Sequence, residues 1–242
     1  MIYLDVREGV SGDMLLSALL GLLDEDERSE AVTRIVTTAA SHGLEFRFSE
    51  ILDSGARGYG ISCVSKEPGP HGRDRTEAFE LLASMQRDLG SKSLIPKEIL
   101  MAIFEAEAEA HGESPETVHI HEIGRAEAIL NMAGIGKLAD MLRMEGHEEI
   151  YCSSITIGKG TVVTSHGAIR IPAPASKILL KGFDFEEGTV PGERATPTGI
   201  AALKVLCREQ NEAYPDKYLK RSFGYGTKRF AGRLGRVVAY SL

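Results

Sequence analysis

A chain of 242 residues with 43% hydrophobic and 26% charged residues has the composition of an ordinary soluble globular protein, long enough for one large or two modest domains. Its formal net charge of −7 argues against general nucleic-acid binding, and no apolar run approaches the length of a membrane span. The N-terminus lacks a signal-peptide pattern, and Cys63, Cys152 and Cys207 fit neither a disulfide framework nor a CxxC zinc site. We therefore expect a reducing, cytoplasmic location.

The N-terminal segment predicts a short buried strand over Ile2 to Val6, then a glycine-bearing turn and an apolar helix. Ser11 or Asp13 is a natural N-cap for that helix. Backbone amides at Ser11 and Gly12 suit a phosphate or another anion, although a simple capped helix start is the alternative. Asp5, near the strand end, and Asp13 add carboxylates that suit a hard metal or a general base.

The next part of the chain predicts helices and a pair of strands. The acidic run from Asp24 to Glu30 is interpreted as a solvated helix connection. The loop from Pro68 to Gly72 is the best candidate for an internal break, near residues 68–75. Periodicity predicts helices over 31–40, 76–89 and 96–111, and strands over 44–51 and 58–66.

A cluster of potential metal ligands follows these helices. Val118 and Ile120 alternate with His119 and His121, which predicts a half-buried strand with both imidazoles on one face. Glu122 comes next, so three groups able to bind a transition metal fall within four residues. A polar strand edge with solvent-exposed histidines is the alternative interpretation.

Between Ile123 and Lys181, the sequence predicts two helices and further strands. Helical spacing runs from Ile123 to Leu142, and two strands are predicted between Glu149 and Thr164. Another short strand precedes a helix that ends near Lys181.

A second candidate anion site lies at Thr196-Pro197-Thr198-Gly199, ahead of an apolar helix. Thr198 is the predicted N-cap, and the exposed amides after it can receive a phosphate or a carboxylate. Helix capping alone explains the pattern equally well.

The tail from Lys217 to Leu242 concentrates positive charge on an otherwise acidic chain. This predicts either an anionic ligand or acidic partner surface, or merely a basic hairpin. Its cations are Lys217, Lys220, Arg221, Lys228, Arg229, Arg233 and Arg236.

Seven blocks, taken in order, resemble nickel insertion proteins of the LarC type. The blocks are IYLDVREGVSGDMLLSALL, IFEAEAEAHG, VHIHEIGRAEAI, IYCSSITIGKG, HGAIRIPAPA, ATPTGIAAL and FGYGTK. The resemblance implies a nickel chelatase that places Ni(II) into the pyridinium bisthiocarboxylate mononucleotide cofactor of lactate racemase and related enzymes. We expect a mixed α/β fold of short strands covered by helices, formed by residues 1–242 as one domain.

The resemblance also suggests roles for individual residues. The expected metal ligands are His119, His121, Glu122 and His166, with Asp13 as a further candidate. Asp5, Asp13 and Glu127 are the expected catalytic carboxylates, which orient an imidazole or accept a proton. The expected cofactor-binding residues are Ser11, Gly12, Arg170, Thr196, Thr198 and Gly199, with Arg170 or the basic tail supplying countercharge.

Three features depart from the family pattern. Glu127 and Asn131 stand where aspartates are common, and the usual histidine-rich segment is reduced to His71. The sequence also stops before a C-terminal domain that the family associates with CTP and a divalent metal. Three explanations stay open: a truncated sequence, half of a split protein whose second chain supplies that domain, and a diverged paralogue. Self-association is compatible with the basic and acidic zones.

Two alternatives to a chelatase stay open at this point. One is a non-catalytic nickel- or cofactor-binding module, or a metallochaperone, which binds its cargo without turnover. The other is a metal-dependent hydrolase that uses the same histidines and carboxylates.

Overall fold

The computed structural model describes residues 1–65, 72–120, 124–144, 150–164, 167–213 and 215–242. The helices are α1 (Gly12–Leu20), α2 (Glu25–Ser41), α3 (Arg75–Leu89), α4 (Ile95–His111), α5 (Ala126–Met141), α6 (Pro174–Leu179) and α7 (Pro197–Leu206). The strands are β1 (Ile2–Asp5), β2 (Leu44–Asp53), β3 (Ala56–Ser65), β4 (Ile150–Cys152), β5 (Ile155–Ile157), β6 (Thr161–Thr164), β7 (Gly167–Arg170), β8 (Phe185–Glu187), β9 (Glu209–Gln210), β10 (Lys220–Phe230) and β11 (Arg233–Ser241).

The main sheet is mixed, in the order β2-β3-β10-β11-β1-β4-β9, which confirms the predicted α/β class. β1 lies antiparallel to β11 and parallel to β4, while β3 lies parallel to β10. Two smaller sheets pair β5 with β8 and β6 with β7. No helix within the described ranges is long and apolar enough to cross a membrane.

The basic tail forms the β10–β11 hairpin, and β11 is the central strand of the main sheet. Val237 and Ala239 point into the main core, whereas Val238 and Tyr240 pack with Tyr3 on the opposite face. Within the described ranges, four of the seven cations of the tail form ion pairs. These pairs are Lys220–Asp24, Lys228–Glu193, Arg229–Asp53 and Arg236–Glu8. The tail is therefore built into the sheet, and much of its charge is compensated.

Helix α1 lies directly on the sheet, and two glycines permit this close packing. A Cβ at Gly224 of β10 would lie 2.0 Å from the carbonyl oxygen of Met14. On its other side, α1 contacts α5, where a Cβ at Gly134 would lie 3.0 Å from a methyl group of Leu16. Both contacts exclude larger side chains, and they fix the position of α1 between the sheet and α5.

Several predicted elements differ from the structure. The acidic run begins α2 at Glu25, because carboxylates in a first turn interact favourably with the helix dipole. The predicted strand over 118–121 is wrong in its described part, where Ile120 forms only an isolated bridge with Arg73. The segment from Glu149 to Thr164 contributes three strands instead of two. The first half of the predicted break near residues 68–75 lies outside the described residues.

Asp53 connects the β2–β3 turn to the tip of the β10–β11 hairpin. Its carboxylate accepts hydrogen bonds from the Arg229 guanidinium at 2.9 Å and from the Leu234 N–H at 3.3 Å. Burial alone would raise the pKa of Asp53, but the hydrogen bonds from Arg229, Ser54 and Leu234 outweigh burial and lower it.

This lowered pKa predicts a loss of stability in acid. A carboxyl group whose pKa is lower in the folded state contributes stability above its unfolded pKa of about 3.9 and loses that contribution as the pH falls. We expect the difference in free energy of unfolding between wild type and Asp53→Asn to shrink between about pH 6 and about pH 3, measured by urea unfolding. Glu50→Gln removes only an exposed pair with Arg57 and serves as the control. A difference that stays constant with pH would contradict this role for Asp53.

Candidate functional site

The loop between β1 and α1 is joined to the segment that precedes α7. The Val10 N–H donates to the Arg194 carbonyl oxygen at 2.9 Å, and the Thr196 N–H donates to the Val10 carbonyl oxygen at 2.9 Å. Gly9 makes this approach possible, since its φ is +105° and a Cβ there would lie 2.3 Å from the Arg194 carbonyl oxygen. The starts of α1 and α7 are thus held side by side.

The predicted cofactor-binding residues of the two segments converge at this junction. A Cβ at Gly12 would lie 3.1 Å from the Thr198 side chain, and a Cβ at Gly199 would lie 2.6 Å from the Val10 carbonyl oxygen. Ser11, Gly12, Thr198 and Gly199 therefore belong to one place in the fold. Their role in binding remains a prediction.

The two helix starts are capped differently. The Thr196 side chain is the N-cap of α7 and accepts a hydrogen bond from the Gly199 N–H at 3.3 Å, so the prediction of Thr198 as the cap is wrong. The Ser11 hydroxyl does not cap α1 and instead donates to the Asp13 carboxylate at 2.5 Å. Among the described residues, no acceptor receives a hydrogen bond from the first three N–H groups of α1. These groups remain available to an anion.

A cavity of about 160 Å³ opens beside these helix starts. The β1–α1 loop, the first turn of α1, the segment before α7 and the β10–β11 hairpin enclose it. Its lining residues are Glu8, Ser11, Asp13, Met14, Glu193, Arg194, Thr196, Gly226, Thr227, Lys228, Phe230 and Gly235.

Most charges of the cavity wall are paired. Glu8 forms an ion pair with Arg236 at 2.9 Å, and Glu193 forms one with Lys228 at 3.3 Å.

Arg194 differs from Lys228, the other cation of the cavity lining, because its guanidinium lies 3.9 Å above the Phe230 ring. Its buried Nε has no hydrogen-bond partner in the described part of the chain. Burial lowers the pKa of Arg194, and the negative charge of Glu8 opposes that shift. An arginine remains protonated at neutral pH, so it places a positive charge on the cavity wall.

The contacts of Asp5 lie at the end of β1, outside the cavity. Its carboxylate accepts hydrogen bonds from the Arg7 side chain at 2.9 Å and from the Ser153 hydroxyl at 3.4 Å. The Ser153 hydroxyl also accepts a hydrogen bond from the Val6 N–H. These contacts fix the end of β1, and Asp5 does not line the cavity.

Helix α5 connects the cavity region to the histidine segment. Asn131 lies against Gly12, and its buried side-chain oxygen has no partner among the described residues. Glu127 precedes Asn131 by one turn, about 6 Å along the axis, and accepts a hydrogen bond from the Ser65 N–H at 3.1 Å.

Burial raises the pKa of the Cys63 thiol to about 12, and the negative charge of Glu127 adds to the shift. The Cys63 thiol is therefore protonated at neutral pH.

The predicted metal ligands are described only in part. His119 is exposed beside the Ile120–Arg73 bridge, whereas His121, Glu122 and His166 lie outside the described residues. The described ranges contain no cluster of three His, Cys, Asp or Glu side chains that could hold a metal ion. Arg170 is exposed on β7 and does not line the cavity. The metal site stays a prediction.

Sequence reasoning did not assign Arg194 and Phe230 to the site. Neither belongs to a motif, and the two meet only because the β10–β11 hairpin approaches the segment before α7. The one available signal is the position of Arg194 directly before the predicted helix start at residues 196–199.

The fold and the cavity define an α/β protein with a small recess beside two helix starts. The family model described as nickel insertion protein matches residues 2–239, and the chain therefore belongs to the nickel insertion protein family. No solved structure matches the chain.

Similar proteins carry the name pyridinium-3,5-bisthiocarboxylic acid mononucleotide nickel insertion protein. The relative from Desulfitobacterium hafniense is 32% identical over 93% of this chain and 54% of its own length. The relative from Staphylococcus epidermidis is 33% identical over 95% of this chain and 56% of its own length. The relative from Akkermansia muciniphila is 29% identical over 93% of this chain and 56% of its own length. The chain thus spans about half the length of these relatives.

Proposed function

We propose that this chain acts in the insertion of Ni(II) into pyridinium-3,5-bisthiocarboxylic acid mononucleotide. The observation that carries the proposal is the family match over residues 2–239, together with the names of the relatives. The continuous match also supports one domain for the chain. Ni(II) is the cargo of this reaction, and the thiocarboxylated mononucleotide is its acceptor.

We place the mononucleotide at the cavity between the starts of α1 and α7. Support comes from the convergence of Ser11 and Gly12 with Thr196, Thr198 and Gly199, and from the uncapped N–H groups of α1. Arg170 lies on a separate hairpin and is exposed, so a contact with the ligand requires that hairpin to approach the bound molecule.

We place Ni(II) at His119, His121, Glu122 and His166. Imidazole and carboxylate ligands bind nickel but allow it to exchange onto a sulfur-containing acceptor. Glu127 lies in the first turn of α5, shortly after this segment, where a carboxylate can orient an imidazole or take up a proton during metal transfer. The turn of α5 from Glu127 to Asn131 leads from the proposed metal segment to Gly12, which lies at the start of α1 between the cavity-lining residues Ser11 and Asp13.

The proposal includes CTP and a divalent metal as further participants, supplied with a separate chain that carries the nucleotide-binding domain. Addition of this partner and CTP to the reaction tests whether nickel insertion requires them.

Replacement of His119 and His121 by alanine tests the metal assignment. We expect the double variant to lose at least about tenfold in nickel affinity and in the yield of nickelated ligand, because two imidazole ligands are removed. Calorimetry with Ni(II) measures the first quantity, and mass spectrometry of the ligand measures the second. His42→Ala is the matched control, since His42 pairs with Asp88 next to α2, away from the cavity lining.

The outcomes separate the candidate functions. Unchanged nickel affinity and insertion in the double variant would refute the ligand assignment. Binding of nickel and ligand without insertion, even with the partner and CTP, would instead indicate a binding module or metallochaperone. Release of phosphate from a model ester that requires the same histidines would indicate a hydrolase.

A further inference from the structure

We propose that Arg194 and the uncapped start of α1 form the phosphate-binding end of the cavity and select a ligand that carries a phosphate monoester. The identity of the ligand rests on the proposed function, whereas the preference for phosphate rests on the cavity itself.

Arg194 is held in place before any ligand binds. Its backbone carbonyl is fixed by the Val10 N–H at 2.9 Å, and its guanidinium is stacked on Phe230 at 3.9 Å. It forms no ion pair with a carboxylate in the described part of the chain, and its Nε is buried next to Gly188, so a ligand in the cavity is reached through the terminal nitrogens of the guanidinium. A planar guanidinium fixed in this way binds phosphate through two parallel hydrogen bonds with little loss of side-chain entropy.

The start of α1 supplies a second, independent set of donors. Helix α1 presents its first three N–H groups without a cap, because the Ser11 hydroxyl is directed to Asp13. Ser11, Asp13 and Met14 from this turn line the same cavity as Arg194. Free N–H groups and the positive end of the helix dipole both favour an anion here.

The remaining charges of the wall are compatible with a single phosphate. Glu8 and Glu193 are neutralised by Arg236 and Lys228. Among the described residues, the Asp13 carboxylate receives a hydrogen bond only from the Ser11 hydroxyl, so its remaining lone pairs can accept a hydrogen bond from a sugar hydroxyl of the ligand.

The size of the cavity indicates which part of the ligand enters. Its volume of about 160 Å³ is smaller than the roughly 300 Å³ or more of a pocket that encloses a whole small molecule. A mononucleotide therefore inserts its phosphate end, and the pyridinium ring with its metal-binding groups stays towards the opening. This orientation leaves the thiocarboxylates accessible for nickel transfer.

The test compares two ligands, the thiocarboxylated pyridinium mononucleotide and the corresponding nucleoside without phosphate. By calorimetry, we expect the wild-type chain to bind the mononucleotide about 10- to 100-fold more tightly, which is typical of charge-assisted hydrogen bonds. Arg194→Gln should lose most of this preference, while affinity for the nucleoside and for Ni(II) stays unchanged. Arg221→Gln is the matched control, because Arg221 also lies over a phenylalanine, Phe223, but outside the cavity.

Equal wild-type affinity for the two ligands, or a preference that Arg194→Gln leaves intact, would overturn the inference. If Arg194→Gln does not fold, Arg194→Lys retains the charge without the planar fork, and it should show a smaller loss of the same preference. Competition by inorganic phosphate gives a readout independent of the nucleotide. Phosphate selection without nickel insertion would refute the proposed function and leave this inference standing.

Discussion

Gly9→Ala is expected to lower the free energy of unfolding by about 3 kcal/mol or more, because strain and steric overlap act together at this position. The φ of +105° is rarely adopted by residues with a side chain, and the new Cβ would lie 2.3 Å from the Arg194 carbonyl oxygen. The loop can relieve the overlap only by moving away from the segment that precedes α7. Since that segment carries Arg194, we also expect weaker binding of the mononucleotide by the variant that remains folded.

Comparison with Gly43→Ala separates the effect of backbone strain from that of steric overlap. Gly43 also has a positive φ, of +71°, but a Cβ there would meet nothing within 4 Å. Strain alone should therefore cost about 1 kcal/mol, with no change in ligand affinity. Urea unfolding followed by circular dichroism measures both losses. Similar losses for the two variants would show that the contact between Gly9 and Arg194 is not important for stability.

Local sequence patterns predict the helices of this protein well. The predicted helices over 76–89 and 96–111 correspond to α3 at Arg75–Leu89 and α4 at Ile95–His111. Each ends before a glycine in the left-handed conformation, Gly90 or Gly112, so both ends are determined by adjacent residues. Apolar spacing and caps are sufficient here because helical hydrogen bonds are local.

Sheet order could not be predicted, because strand partners lie far apart in the sequence. β1 pairs with β11 and with β4, and no residue of β1 indicates either partner. For the stretch from Val118 to His121, the sequence predicted a strand that does not form in the described part. Its alternation resembles a strand, but only Ile120 finds a backbone partner, Arg73, so the described part forms a bridge instead of a strand.

The candidate site shows the same division between local and long-range information. Ser11 and Thr198 could each be placed at a helix start from the sequence, whereas the proximity of the two helix starts depends on hydrogen bonds between Val10 and the segment before α7. Arg194 was missed because its stacking partner, Phe230, lies in a different element. Basic residues of the tail suggested a countercharge, yet the ion pairs of Arg229 and its neighbours show that much of this charge is used within the fold.

Leu16→Ala is expected to lower the free energy of unfolding by about 3 kcal/mol, within the range of about 2–5 kcal/mol for truncation of a buried leucine. Leu16 is fully buried, and it packs against Gly134 of α5, which has no side chain of its own to fill the space left by truncation. Leu52→Ala is the matched control, since Leu52 is 70% exposed on β2 and its truncation should change the free energy by less than about 0.5 kcal/mol.

The same pair of variants tests whether the start of α1 is positioned independently of its packing on α5. At the start of the helix, Gly12 contacts Thr198, and the preceding Val10 is hydrogen-bonded to Arg194. We therefore expect folded Leu16→Ala to retain its affinity for the mononucleotide within about twofold, although its unfolding midpoint in urea is lower. A large loss of affinity in folded Leu16→Ala would show that packing between α1 and α5 sets the geometry of the cavity. A stability loss no larger than that of Leu52→Ala would show that α1 is not anchored through Leu16.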